Sequence, residues 1–145
     1  MKTSTIFLFI FALLFCSCMS NELKESQKYD YTTSGALTDD CFQVIVTIPP
    51  DKALKTMADQ RETAFIKAKG SIAEETEKQV LSYYSADKSI SIDKIPLEKT
   101  NFLKEKSNEY AKQAIVEQEF YLIDNSAVLV YRIFKKGIKS DILNN

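Results

Sequence analysis

The sequence predicts an α+β domain in which a three-stranded antiparallel sheet packs against one long helix, with a minor second helix. Three stretches carry that expectation. They are a β-branched run over 41–48, an apolar stripe of helical period over 51–85, and two strand-like runs around Asp124-Asn125-Ser126.

The first strand is Cys41–Ile48, where alternation puts Phe42, Val44, Val46 and Ile48 on one face. Pro49-Pro50 stops it, and Asp51 stands as the N-cap of the helix that follows, its carboxylate able to accept an orphan backbone N–H. Leu54, Ala58, Phe65, Ala68, Ile72, Thr76 and Val80 recur at steps that keep them on one helical face to about Ser85, with Met57 and Ala64 widening the stripe. A helix cannot hide such a stripe alone; it needs a sheet to lie on.

Ser85–Ile95 is polar with isolated isoleucines, which predicts a loop. Pro96 opens a second helix over Leu97–Gln113, a surface helix because its apolar residues (Phe102, Leu103, Tyr110, then Ala114) are sparse. Ile115–Ile123 and Ala127–Phe134 form a hairpin. An even loop puts Val116, Phe120 and Leu122 on the helix-facing side with Leu129, Tyr131 and Ile133, leaving Glu117, Glu119 and Arg132 opposite. An odd loop would place Arg132 among apolar side chains, so the even register is predicted. Residues 135–145 read as a short tail with one helical turn. The first strand can add to a hairpin edge, giving strand-helix-strand-strand around one sheet. Three strands leave open edges and a bare face, and such units tend to associate.

The chain ahead of this domain has a different character. Lys2 precedes an unbroken apolar run, Ile6–Cys16, of 11 residues. That is short of the roughly 20 a membrane-spanning helix needs, and it suits a signal helix. Phe15-Cys16-Ser17-Cys18 follows. It resembles the bacterial lipobox, with small Ser17 before the cysteine that would be lipidated, Cys18, and Phe15 in place of the usual leucine. Residues 1–17 are therefore expected to be a lipoprotein signal peptide. Residues 18–38, rich in Ser, Thr, Asn, Lys and Glu, are expected to be a flexible tether, and 39–145 the single domain. With Met19 rather than Asp next, the usual inner-membrane retention signal is absent, which points to the outer membrane.

Loss of the signal removes Lys2 and takes the formal charge from −1 to −2, a balance that gives no basic footprint for nucleic acid. Lipidation of Cys18 leaves Cys41 without an intramolecular partner, so it is either a buried apolar residue or a dimer-forming thiol; the strand around it favours burial. The chain has no histidine, which excludes the Ser-His-Asp and Cys-His nucleophile systems and the HExxH zinc site. No catalytic residue, metal site or cofactor is expected. Glu117 and Glu119 are the best paired carboxylates, but neighbours on one exposed strand face make no cleft; Glu119 near Arg132 is the expected arrangement. Glu74, Glu75 and Glu77 point in different directions on a helix and suit a solvated face, with Glu74 pairing to Lys78. Tyr83, Tyr84, Tyr121 and Tyr131 offer either an aromatic ligand patch or ordinary packing. Arg61 interrupts the apolar stripe. Either its stem packs while its head reaches water, or its guanidinium makes a subunit contact with a neighbour's carboxylate.

Lipobox and polar tether, a strand running into the helix marked by Arg61, Ala64, Ala68-Lys69-Gly70-Ser71-Ile72-Ala73 and Val80, and the terminal hairpin Ile115–Phe134 together resemble the Lpp-twenty lipoproteins of diderm bacteria over about residues 40–136. The resemblance implies a dodecin-like fold, a helix on a three-stranded sheet, and no catalytic motif. It also implies relatives that build rings around the flagellar basal body and others that are surface antigens. Against it, the hairpin turn lacks a glycine and the chain has no tryptophan. The expected function is a non-enzymatic structural lipoprotein, bound to the lipid bilayer through acylated Cys18 and self-associating or docking onto an envelope protein. The alternative is a surface-exposed binding module for a small apolar ligand or a host molecule.

Overall fold

In the computed structural model, which describes residues 31–144, the strands are β1 (Gly35–Thr38), β2 (Cys41–Ile48), β3 (Ile115–Tyr121) and β4 (Ala127–Phe134). The helices are α1 (Met57–Gly70), α2 (Ile72–Lys88), α3 (Leu97–Gln113) and α4 (Ile138–Asn144), with a 3-10 turn at Ile92–Lys94. The signal segment, Cys18 and the tether up to Asp30 lie outside the described residues. The class is α+β as predicted, with β2 added to the β4 edge of the hairpin. The sheet, however, has four antiparallel strands in the order β1-β2-β4-β3, not three.

The extra strand comes from the end of the predicted tether. Gly35 pairs with Gln43, and the Asp39-Asp40 turn returns the chain into β2, the Asp40 N–H bonding the Thr38 hydroxyl at 3.2 Å. Gly35 sits at φ +138°, and a Cβ there would stand 3.4 Å from the Tyr83 ring, so both backbone and space call for glycine. Because β1 is short, β2 runs on past it. There the Gln79 side chain of α2 replaces a strand neighbour: its Nε2 donates to the Ile45 carbonyl at 2.7 Å and its Oε1 accepts the Ile45 N–H at 3.2 Å.

The predicted long helix is two. Asp51 does not cap it: its carboxylate accepts the Ala53 N–H at 3.0 Å and its carbonyl the Leu54 N–H at 3.1 Å, closing a turn instead. Thr56, in extended conformation, is the N-cap, its hydroxyl accepting the Asp59 N–H at 3.1 Å. The helix then breaks at Ser71 (φ −91°, ψ 0°), next to the weak helix former Gly70. Buried Ala64 and Ala68 belong to α1, and buried Thr76, Val80 and Leu81 to α2, so the stripe survives the break. Part of the predicted loop is also helical: α2 continues to Lys88, where Ser89 ends it in the left-handed region (φ 53°).

On the helix side of the sheet, Phe42, Val44 and Val46 lie opposite Ile133, Tyr131 and Leu129, all buried in one core with Ala68, Val80 and Leu81. Helix α3 occupies the predicted span. It buries Leu103, Ser107 and Tyr110, a stripe at steps of four and three. The predicted tail is α4, whose Ile138 and Ile142 are fully buried in the same core.

The hairpin phase departs from the prediction. Tyr121 faces Ala127 across the five residues Leu122–Ser126, an odd connection with Asn125 at φ 68°. Phe120 therefore opposes Val128, away from the core, and is 38% exposed. A β-bulge at Glu117 restores the phase, so that Val116 does oppose Tyr131 as expected. Arg132 opposes Gln43 and Ile115 and stays out of the helix-side core.

One core residue carries a pH signature. The Tyr110 hydroxyl is buried with no hydrogen-bond partner among the described residues. Burial, with smaller effects from Asp141 and Glu109, pushes it well above the ordinary tyrosine range. The folded state therefore holds the phenolic proton more tightly than the unfolded chain. That contribution is complete below the unfolded value near pH 10 and is lost as pH rises beyond it. Tyr110→Phe is expected to keep or raise stability at pH 7, by up to about 1–2 kcal/mol, because no bond is lost and an unpaired hydroxyl is removed. It is also expected to flatten the alkaline limb in urea melts between pH 8 and 11.

Candidate functional site

Two polar constructions stand out from the core, one at the hairpin turn and one on the second sheet face. At the turn, half-buried Arg61 on α1 donates from Nε to the Asn125 side-chain oxygen at 3.0 Å, and its guanidinium carbon lies 5.1 Å from the Tyr121 ring centroid. A planar, weakly hydrated cation can serve both partners at once. The turn is braced from within as well. Leu122 N–H bonds the Ser126 carbonyl at 2.9 Å, Asn125 N–H the Leu122 carbonyl at 3.0 Å, and Ser126 N–H the Asp124 carboxylate at 2.9 Å. The bond to Ser126 holds the Asp124 carboxyl below its usual range. Arg61, expected either to snorkel or to meet a neighbouring subunit, is thus engaged with its own hairpin. It interrupts the stripe because at this point α1 meets a turn and not the sheet.

On the second face, Arg132 is buried and donates from Nη1 to the Glu117 carboxylate at 2.8 Å. The Tyr31 ring centroid lies 5.5 Å from its guanidinium carbon, and the neighbouring Gln43 donates from Nε2 to the Thr33 carbonyl at 2.8 Å. The bulge aims Glu117 at Arg132, so the predicted Glu119–Arg132 pairing is replaced. Glu119 instead lies beside the Tyr121 hydroxyl at 3.5 Å, and this carboxylate adds to the burial that raises the phenol. The face expected to be bare is covered at its centre, where Cys41, Gln43, Val128 and Val130 are buried, and open at its rim, at Ile115, Phe120 and Phe134. Cys41 is a free thiol pushed upward by burial, in keeping with the apolar reading.

The four tyrosines do not gather into a patch. Tyr83 meets Phe42 edge to face at 5.5 Å, Tyr84 lies beneath Lys99 at 4.9 Å, Tyr121 beneath Arg61, and Tyr131 is buried in the core. On α2, Lys78 pairs with Glu75 at 3.4 Å and not with the predicted Glu74, while Glu77 reaches across to Lys104 at 3.0 Å. Beside that bridge an open groove of about 380 Å³ runs between α2 and α3, floored by Ala73, Leu81 and Ile92.

Among the described residues no group of three or more His, Cys, Asp or Glu could hold a metal ion. None of the described helices is long and apolar enough to cross a membrane. Tyr31 and Gln79 were missed as structural residues in the sequence because each acts on a distant strand. Neither the comparison with family models, nor that with curated proteins, nor that with solved structures finds a match.

Proposed function

We propose that this chain is a structural lipoprotein of the bacterial cell envelope without enzymatic activity. It is anchored in the outer membrane through acylated Cys18 and assembles with copies of itself or with an envelope assembly such as the flagellar basal body. The observation that carries this reading is the apolar run Ile6–Cys16 ending in Phe15-Cys16-Ser17-Cys18-Met19, with the likeness to Lpp-twenty lipoproteins behind it. The missing histidine argues against the commonest nucleophilic and metal chemistries. For assembly, the exposed rim Ile115, Phe120 and Phe134 offers apolar contact area beside the outer strand β3.

Light scattering of residues 19–145 across a concentration series tests the assembly. A discrete oligomer that weakens in Phe120→Ser or Phe134→Ser is the expected result; a monomer at every concentration overturns self-association. Arg61→Ala separates the contacts, since an oligomer unchanged by it removes Arg61 from the interface. The alternative, a binding module for a small apolar ligand, draws on the groove between α2 and α3, whose apolar floor is rimmed by Glu74, Glu77, Lys78 and Asn108.

A further inference from the structure

The hairpin turn presents aliphatic side chains where soluble turns carry polar ones. Leu122 is 42% exposed and Ile123 is fully exposed, and Met57, one helical turn before Arg61 on the same face of α1, is 57% exposed. These side chains are not on a loose loop. Three hydrogen bonds close the turn, and Arg61 ties it to α1 through Asn125 and Tyr121. Lysines Lys52 and Lys55 lie in the exposed turn that leads into α1, and Lys52 is near enough to Asp124 to help hold that carboxyl low. Asp51, Asp59 and Glu62 share this end with the lysines, so its charge is mixed. It is the braced projection of two consecutive aliphatics that suits the boundary between headgroups and acyl chains.

We propose that this tip is a second membrane contact, in which Leu122 and Ile123 enter the interface of the bilayer that holds the anchor. The inference rests on the lipoprotein reading above. Two aliphatic side chains are too little for a stable protein interface, which needs upwards of about 1,000 Å². With Ile123 fully exposed and Leu122 42% exposed, their burial in lipid favours the bound state by about 10 to 10³-fold, which is useful only at high local lipid concentration. The tether supplies that concentration. From Cys18 to Tyr31 is thirteen residues, at most about 45 Å when extended, comparable to the width of a domain this size. The anchor is thus long enough to let the tip reach the bilayer and short enough to keep it close. The Asp124 charge, bonded back into the turn, stays at headgroup level.

Because the chain has no tryptophan, Ile123→Trp introduces a unique reporter, and Leu97→Trp, at a 76% exposed site at the start of α3, serves as control. Each protein is purified from membranes and its Cys18 acylation is read by mass. Each is then reconstituted into phosphatidylethanolamine–phosphatidylglycerol vesicles with and without brominated lipid. The expected result is blue-shifted emission quenched by bromine at position 123 and solvent-like, unquenched emission at position 97. Solvent-like emission at both positions in an acylated protein overturns the tip contact and leaves the anchor standing. Quenching at both overturns it too, because the contact would then not belong to the tip. A Cys18 without acyl chains removes the anchoring reading, and this one with it.

Discussion

A chain ending at Lys136 is expected to lose its cooperative fold. The segment it removes looks dispensable in the sequence, being nine residues from Gly137 with only Ile138, Ile142 and Leu143 apolar. In the structure Ile138 and Ile142 are fully buried, and α4 rests against α2 and β2. Emptying one such site costs about 2–5 kcal/mol, so emptying both costs about 4–10, against a total stability of about 5–15 for an ordinary domain. The truncation also breaks a polar clasp onto the β1–β2 turn. Gly137 N–H bonds the Asp40 carboxylate at 2.6 Å, Lys139 N–H bonds the Asp39 carbonyl at 3.2 Å, and Lys135 pairs with Asp141 at 2.6 Å. Urea melts followed by circular dichroism check it: no folded baseline, or a midpoint near zero denaturant, is expected. Ile142→Ala alone should fold with a stability lower by about 2–5 kcal/mol. A truncated chain that melts like the parent would show that α4 is a tail after all.

Phe42→Ala should be the most damaging single truncation in the sheet, at about 3–5 kcal/mol. Phe42 is completely buried, opposite Ile133, and meets the Tyr83 ring edge to face at 5.5 Å and 89°. The substitution leaves a cavity between sheet and α2 and forfeits that ring contact, itself worth about 0.5–1.5 kcal/mol. Tyr83 also flanks Gly35, so the loss should spread to β1. Hydrogen exchange at Ala36 and Leu37 should rise more than at Val130, on the far side of β2. Phe42→Leu, which keeps most of the volume, should cost less than half as much.

These two sites mark where the sequence was and was not legible. β2, β4 and α3 fall on the predicted residues because dense β-branching, prolines and a hairpin boundary signal them locally. β1 is four residues, Gly-Ala-Leu-Thr, with no periodicity to detect, and it is a strand only because β2 offers an edge. The break at Ser71 carries no proline, and the stripe runs across it in phase. The hairpin phase turned on the odd, five-residue connection Leu122–Ser126 and on the bulge at Glu117 that restores the register at Val116, neither of which Ile115–Phe134 announces. Arg61 was singled out correctly as an anomaly of the stripe, but its partner Asn125 is 64 residues away and was read only as turn chemistry.

The anchoring of the chain through Cys18 is the claim on which the proposed function depends, and metabolic labelling tests it most directly. Cells of a diderm bacterium producing the full chain or its Cys18→Ala variant are fed labelled palmitate, and the protein is partitioned between detergent and aqueous phases. The predicted result is label and detergent partitioning for the parent chain, both lost in Cys18→Ala and both kept in Cys16→Ala. An unlabelled parent chain in the aqueous phase, or label that persists in Cys18→Ala, would contradict it.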